Sequence, residues 1–150
     1  MLYLLPSVFH NDVILHDDKI LQASSSLGKA DYGQIMLVDD DEDILNLLSD
    51  FLENEGYKVK TFLNPFKALE EIQTGPHEYS MIITDVRMPG ISGIELVEIL
   101  SNTDHKIKVV LTSAFDLDGT DMDGIVYDKF IRKPVQMESL IQAIDKVLNN

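Results

Sequence analysis

Four apolar runs in this chain end in residues that could do chemistry together. Ile35-Met36-Leu37-Val38 is followed by Asp39 and Asp40, and Met81-Ile82-Ile83-Thr84 by Asp85. The run from Lys108 to Thr112 is followed by Ser113, and Phe130-Ile131-Arg132 by Lys133. Short apolar runs of this kind read as buried strands, and α/β sheets place their chemistry just beyond strand carboxyl ends. Carboxylates gathered in one place raise one another's pKa unless a cation joins them. Oxygen-rich, sulfur-free surroundings suit Mg²⁺ or Mn²⁺. A carboxylate nucleophile such as Asp85 can then form an acyl phosphate, with the hydroxyl of Ser113 and the amine of Lys133 offsetting charge on the transferring group. The chemistry this set suits is metal-assisted phosphoryl transfer to a side chain. Asp85, standing directly before Val86-Arg87-Met88-Pro89-Gly90, is its centre.

The elements that must position these groups alternate regularly from Gln34 onward. Ile44, Leu47, Leu48, Phe51 and Leu52 repeat at helical spacing after the first strand, and Gly56 marks the helix end. Tyr57, Val59 and Thr61 alternate over a short strand. Asn64-Pro65 opens a second helix with an N-cap and a proline at its first position, and Gly75-Pro76 ends it. A helix from Ser92 or Gly93 to Ser101 carries Ile94, Val97 and Ile99. The last helix carries Leu140, Ile141, Ile144, Val147 and Leu148. Strands alternating with helices imply a parallel sheet covered on both faces, which brings all the strand carboxyl ends to one edge. The segment Asp116 to Asp128 has room for one more helix. It is short, however, with two glycines and five aspartates, and predicts at most a short or irregular one. Residues 1–33 read as an extension with a Ser24-Ser25-Ser26-Leu27-Gly28 linker, and residues 34–150 as the folded domain.

Composition sets limits on function. The 150 residues are most simply one domain with a genuine core. No cysteine is present, which removes disulfides, thiolate zinc sites and thiol catalysis. A net charge of −14 argues against nonspecific nucleic-acid binding, which rests on Lys and Arg neutralising phosphates. The same charge is compatible with gathering a divalent cation or meeting a basic partner face. No apolar stretch approaches the ~20 residues of a membrane helix, and the N-terminus lacks a basic n-region, so the expected location is cytoplasmic.

The residues then show a family likeness. Residues 34–150 resemble the receiver domain of two-component response regulators, a CheY-like superfamily. The likeness rests on Ile35 to Ile44 with its acidic run, Asp85-Val86-Arg87-Met88-Pro89-Gly90-Ile91-Ser92-Gly93, Val109 to Phe115, and Lys133-Pro134. It implies a flavodoxin-like, doubly wound, five-stranded parallel sheet of order 2-1-3-4-5, preceded by the extension. It also implies roles. Asp85 is the phosphoacceptor. Asp39 and Asp40 bind the metal together with Asp85 and the backbone carbonyl of Arg87. Lys133 senses the phosphate, and its bond to Pro134 is often cis in the family. Thr112 and Ser113 compete for the hydroxyl position. Counting from Asp85 favours Ser113, because Ala114 and Phe115 then fit the residues that follow it. Phe130 matches the aromatic switch residue, and Arg87 and Phe115 occupy positions that tune water access.

The implied partners are a sensor histidine kinase or phosphotransfer protein and a downstream protein target. Output runs by protein contact, with no direct DNA binding and no membrane insertion. The oligomeric state stays open between monomer and homodimer. The domain is a signalling module rather than an enzyme, catalysing only its own phosphotransfer and dephosphorylation.

Duller or rival readings exist for the same residues. Asp39 and Asp40 could be a helix N-terminal charge cluster, Thr112 a plain β-former, and Phe130 a packing residue. Asp39-x-Asp41 resembles the nucleophile motif of haloacid-dehalogenase-like phosphatases, but Asp43 stands where that motif has Thr or Val. Asp116-Leu117-Asp118-Gly119 looks like a calcium loop, though a solvated loop is the plainer account. A degenerate receiver acting without phosphorylation is the remaining alternative, against which the intact Asp85, Asp39, Asp40 and Lys133 argue.

Overall fold

A computed structural model describes residues 29, 31–75, 78–103, 106–118 and 122–150 of the chain. The regular elements run β1 (Gln34–Val38), α1 (Glu42–Asn54), β2 (Lys58–Phe62), α2 (Pro65–Thr74), β3 (Tyr79–Asp85), α3 (Gly93–Ser101), β4 (Lys108–Ser113), β5 (Lys129–Arg132) and α4 (Met137–Leu148). All four pairings are parallel, in the order β2-β1-β3-β4-β5. This is the CheY-like flavodoxin fold expected from the sequence. The strand order reverses direction between β1 and β3, so the residues just beyond those two strands flank a switch-point crevice.

Strand side chains alternate between two cores. Met36, Val38, Ile82, Val109 and Leu111 face one cluster, covered by Ala68 and Ile72 of α2 and Leu96, Val97 and Leu100 of α3. Ile35, Leu37, Met81, Ile83 and Val110 face the other, covered by Leu45, Leu48 and Leu52 of α1 and Leu140, Ile144 and Val147 of α4. Burying each Val, Leu, Ile or Met side chain among them stabilises the fold by ~1.5–3 kcal/mol.

The helix faces differ in detail from the spacing read off the sequence. Leu45, not Leu47, carries the α1 face: Leu47 is 59% exposed and Leu45 only 3%. Two adjacent apolar registers fit a 3.6-residue period, and packing against β1 chose one. In α3, Leu96 and Leu100 flank Val97 in the core, while Ile94 and Ile99 are only partly buried. Thr61 is exposed on the edge strand β2.

Side-chain caps explain where α1, α2 and α3 start, whereas α4 follows Gln136 without one. The Asp41 side chain accepts from the backbone N–H groups of Asp43 (3.0 Å) and Ile44 (3.3 Å). Asn64 does the same for Phe66 at 2.9 Å, with Pro65 next. Ser92 and Glu95 form a reciprocal capping box, and α3 then begins at Gly93. Between β4 and β5, no helix forms among residues 116–118 and 122–128. Leu117, Met122 and Ile125 instead pack directly on the first core. The expected extension lies outside the described residues up to 28. Its last part meets the domain: Lys29 pairs with Glu55 at 3.4 Å, and Tyr32 donates to Asn149.

Gly93 is a constraint that no sequence pattern exposed. A Cβ there would stand 2.1 Å from the backbone oxygen of Asp85, while the Gly93 N–H donates to Val86 O at 2.9 Å. Helix α3 is thus pressed against the backbone that carries Asp85. Gly93→Ala is expected to destabilise the fold by about 1–3 kcal/mol, as overpacking does. Urea unfolding checks this; an unchanged midpoint would show that the contact is slack.

Candidate functional site

The crevice at the carboxyl edge of the sheet gathers most of the residues singled out from the sequence. Asp39 follows β1 directly, Asp40 comes next, and Asp85 is the last residue of β3. Asp39 and Asp85 are buried, at 4% and 8% exposure, while Asp40 is open to solvent. One carboxylate oxygen from each lies within 4.8 Å of the others. Among the described residues no other group of three such side chains has metal-binding geometry. At the start of α1 the capping side chain is that of Asp41. That leaves Asp39 and Asp40 to face the crevice, and it spends Asp41, the second acid of the phosphatase-like motif, on the helix.

Lys133, one residue past β5, enters from the other side. Its Nζ donates to Asp39 Oδ2 at 2.7 Å and stands 3.4 Å from Asp85 Oδ2. The second Asp39 oxygen accepts from the Asp41 backbone N–H at 3.0 Å. The Lys133–Pro134 peptide bond is cis.

Burial is the largest influence on Asp85 and raises its pKa; the charge of Asp39 adds to this. The charge and hydrogen bond of Lys133 and the Arg87 backbone N–H oppose the rise without cancelling it. On Lys133, burial works to lower the pKa. The hydrogen bond and charge of Asp39, joined by the charge of Asp85, outweigh it and hold the ammonium above the ordinary lysine value.

Strand register places the hydroxyl candidates. Thr112 lies opposite Asp85 in the β3–β4 pairing, and its carbonyl accepts from the Val86 N–H at 2.9 Å. Ser113 stands one residue further toward the crevice edge, and its carbonyl accepts from the Lys133 N–H at 2.8 Å. The Ser113 hydroxyl accepts from the Phe115 N–H at 3.1 Å. Both residues are buried. Arg87 and Phe115 meet face on, with the guanidinium carbon 4.3 Å from the ring centre. That stack joins the loop after Asp85 to the loop after Ser113, a contact invisible in the sequence. Phe130 is partly buried against the first core. On Asp116, in the calcium-loop lookalike, the carboxylate is paired with Arg132 at 2.6 Å.

Comparison with known proteins decides the family. The response regulator receiver domain model matches residues 35–145. The chain belongs to that family. The receiver is 32% identical over 117 residues to the response regulator receiver protein CpdR of Brucella abortus, covering 77% of this chain and 96% of CpdR. It is 34% identical to the transcriptional regulatory protein YkoG of Bacillus subtilis, covering 77% of this chain but only 51% of YkoG. The chain thus spans about half of that relative's length. Among solved structures, the CheY-like receiver of Methanospirillum hungatei superposes with a TM-score of 0.72 at 25% identity, covering 78% of this chain and 94% of that one. Receiver TrrA of Thermotoga maritima, solved with Mg²⁺ and BeF, gives 0.69 at 30% identity, covering 77% and 98%.

The donor set of the receiver site fits the family's divalent cation. It offers only oxygen, from three carboxylates, two of them buried and only partly neutralised by one lysine. No helix among the described residues is long and apolar enough to cross a membrane.

Proposed function

We propose that this receiver is a phosphoacceptor in a two-component or phosphorelay system, modified on Asp85. The convergence of Asp39, Asp40, Asp85 and Lys133 at the switch point carries the reading. An Asp85 carboxylate oxygen attacks phosphorus on a phosphohistidine of a sensor kinase or phosphotransfer protein. The P–N bond breaks and the freed imidazole takes up a proton, leaving an acyl phosphate. Asp39, Asp40, Asp85 and the backbone carbonyl of Arg87 would hold Mg²⁺ or Mn²⁺, which supplies positive charge for the phosphoryl oxygens. Lys133 provides the ammonium on the opposite side, and Ser113 the hydroxyl that binds a phosphoryl oxygen. Thr112 supports it from the neighbouring register. Phe130 then adjusts as a switch residue, and a downstream protein reads the changed surface. Residues 34–150 act as the receiver, residues 1–33 as an extension, and the protein works in the cytoplasm.

Incubation with acetyl phosphate followed by intact mass tests this. The phosphate adduct is expected with Mg²⁺ and should be lost when EDTA removes it. Equal labelling in EDTA would remove the role given to Asp39 and Asp40. Hydrolysis of many small phosphate esters at high turnover would favour a phosphatase instead.

The Arg87–Phe115 stack bridges the two loops flanking Asp85, where it restricts water. Phe115→Ala is expected to shorten the phosphoryl lifetime by about three- to ten-fold, up to about 1.4 kcal/mol of barrier. Decay of the adduct after acetyl phosphate is removed measures it. An unchanged decay would confine the stack to a structural role.

A further inference from the structure

Helix α4 is fixed differently from the other three helices. It starts after Gln136 without a side-chain cap, shortly past Lys133–Pro134. Its C-terminal end is held by two phenols from elsewhere in the chain. Tyr57, in the turn between α1 and β2, donates to the Asp145 carboxylate in the last turn of α4. Tyr32, just before β1, donates to the side-chain oxygen of Asn149, the residue that ends the helix. Lys29 completes the cluster: its Nζ lies 5.1 Å from the centre of the Tyr57 ring and 3.4 Å from Glu55 Oε2. The Tyr32 N–H donates to the Lys29 carbonyl at 3.3 Å, and Gly33, at φ 86°, then redirects the chain into β1.

A lone ion pair such as Lys29–Glu55, with Glu55 42% exposed, contributes little by itself. Here it is one contact of several that converge. Tyr57 is 3% exposed and the Lys29 side chain 18%, so the centre of the cluster is sheltered from water. Burial, followed by the bond to Asp145, raises the Tyr57 pKa well above the ordinary tyrosine value, and the phenol stays a donor throughout the neutral range. Lys29, Tyr32 and Asn149 all lie outside residues 35–145, the span the receiver model matches, so the cluster joins parts of the chain that the family match leaves out. We propose that Lys29 and Tyr32 form a strap that fastens the last turn of α4 to the α1–β2 turn, and that withdrawing the strap loosens α4 from that end. The chain before Lys29 then has a hold on the helix that follows Lys133–Pro134, an input to the domain separate from Asp85. This goes beyond the phosphoacceptor reading and does not depend on it.

Amide hydrogen exchange of the full chain, metal-free and unphosphorylated, tests this residue by residue. In Lys29→Ser/Tyr32→Ser the amides of Val147, Leu148 and Asn149 should exchange about ten-fold faster than in wild type, the effect of roughly one lost hydrogen bond. The amides of Leu48 in α1 and Ile82 in β3 should keep their wild-type rates, because core amides open only with the whole fold. Tyr32→Phe removes only the hydroxyl and should reproduce part of the acceleration. In a chain already carrying Asn149→Ala it should add nothing, since its partner is gone. Lys67→Ala breaks an exposed pair with Glu70 on α2 and should leave α4 unchanged. Equal acceleration at Leu48, Ile82 and the last turn would overturn the proposal, because Lys29 and Tyr32 would then serve overall stability alone. Wild-type rates in the last turn of the double variant would overturn it too, as would a Tyr32→Phe effect that persists alongside Asn149→Ala or a faster α4 in Lys67→Ala. Should the double variant fail to fold, the Tyr32→Phe and Asn149→Ala comparison decides.

Discussion

Asp85→Asn should abolish the phosphate adduct that acetyl phosphate and Mg²⁺ leave on the wild-type chain. The expected loss in labelling rate is a hundred-fold or more, about 2.7 kcal/mol of barrier. Two other carboxylates stand close by, so the reason they do not substitute matters. Asp39 has both oxygens engaged, one by the Lys133 ammonium at 2.7 Å and one by the Asp41 N–H at 3.0 Å. Asp40 is exposed, where water competes with any phosphoryl donor for its oxygens. Asp85 is buried and its Oδ2 is held more loosely, 3.4 Å from Lys133. It is therefore the poorly solvated carboxylate that Lys133 holds less tightly than it holds Asp39. Intact mass after matched incubations decides the matter. An adduct of wild-type size on Asp85→Asn would move the site elsewhere.

Lys133→Met should destabilise the metal-free chain, whereas Asp85→Asn should stabilise it. Lys133 is the cation between two buried carboxylates. Removing it leaves both unpaired, which costs about 3 kcal/mol, the low end for a buried pair because Lys133 keeps some solvent contact. For a domain of this size that lowers Tm by roughly 10 °C. Asn at 85 instead removes a charge that burial and Asp39 disfavour.

The pH dependence follows the signs of the two shifts. Lys133 has its pKa raised on folding, so its contribution is fully present below the unfolded lysine value. It is lost as pH rises through the higher folded one. Asp85 is also raised, so its ionised form costs stability at neutral pH, and that cost fades as pH falls through its folded value. The stabilising effect of Asp85→Asn should therefore shrink toward acid pH. Thermal unfolding of both variants at neutral and acid pH measures this. A lower Tm for Asp85→Asn at neutral pH would show that Asp85 supports the fold, against the direction of its shift.

Much of this protein is determined by local patterns. The four apolar runs became β1, β3, β4 and β5; the first three are central, because a run buried on both faces has few alternatives to a central parallel strand, and β5 closes the sheet as a half-buried edge. Asn64-Pro65 and Ser92 set helix starts through hydrogen bonds within three residues, which the sequence displays directly. Chemistry at strand ends was legible for the same reason: Asp39, Asp85, Ser113 and Lys133 are each the residue where an apolar run stops.

Tertiary structure decided what depends on neighbours distant in sequence. Packing against β1 turned Leu45 inward and Leu47 out, since both satisfy the helical period. Asp41 rather than its neighbours became the cap, which freed Asp39 and Asp40 for the crevice. Asp39 became the closer partner of Lys133, an outcome set by side chains 94 residues apart. The Asp85 carbonyl required a glycine at 93, and Arg87 came to rest on Phe115. These are matters of distance between separate elements, measured in tenths of an ångström, and no one-dimensional pattern records them. The sequence alone determined which residues could serve the phosphoryl chemistry; the fold determined which of them touch.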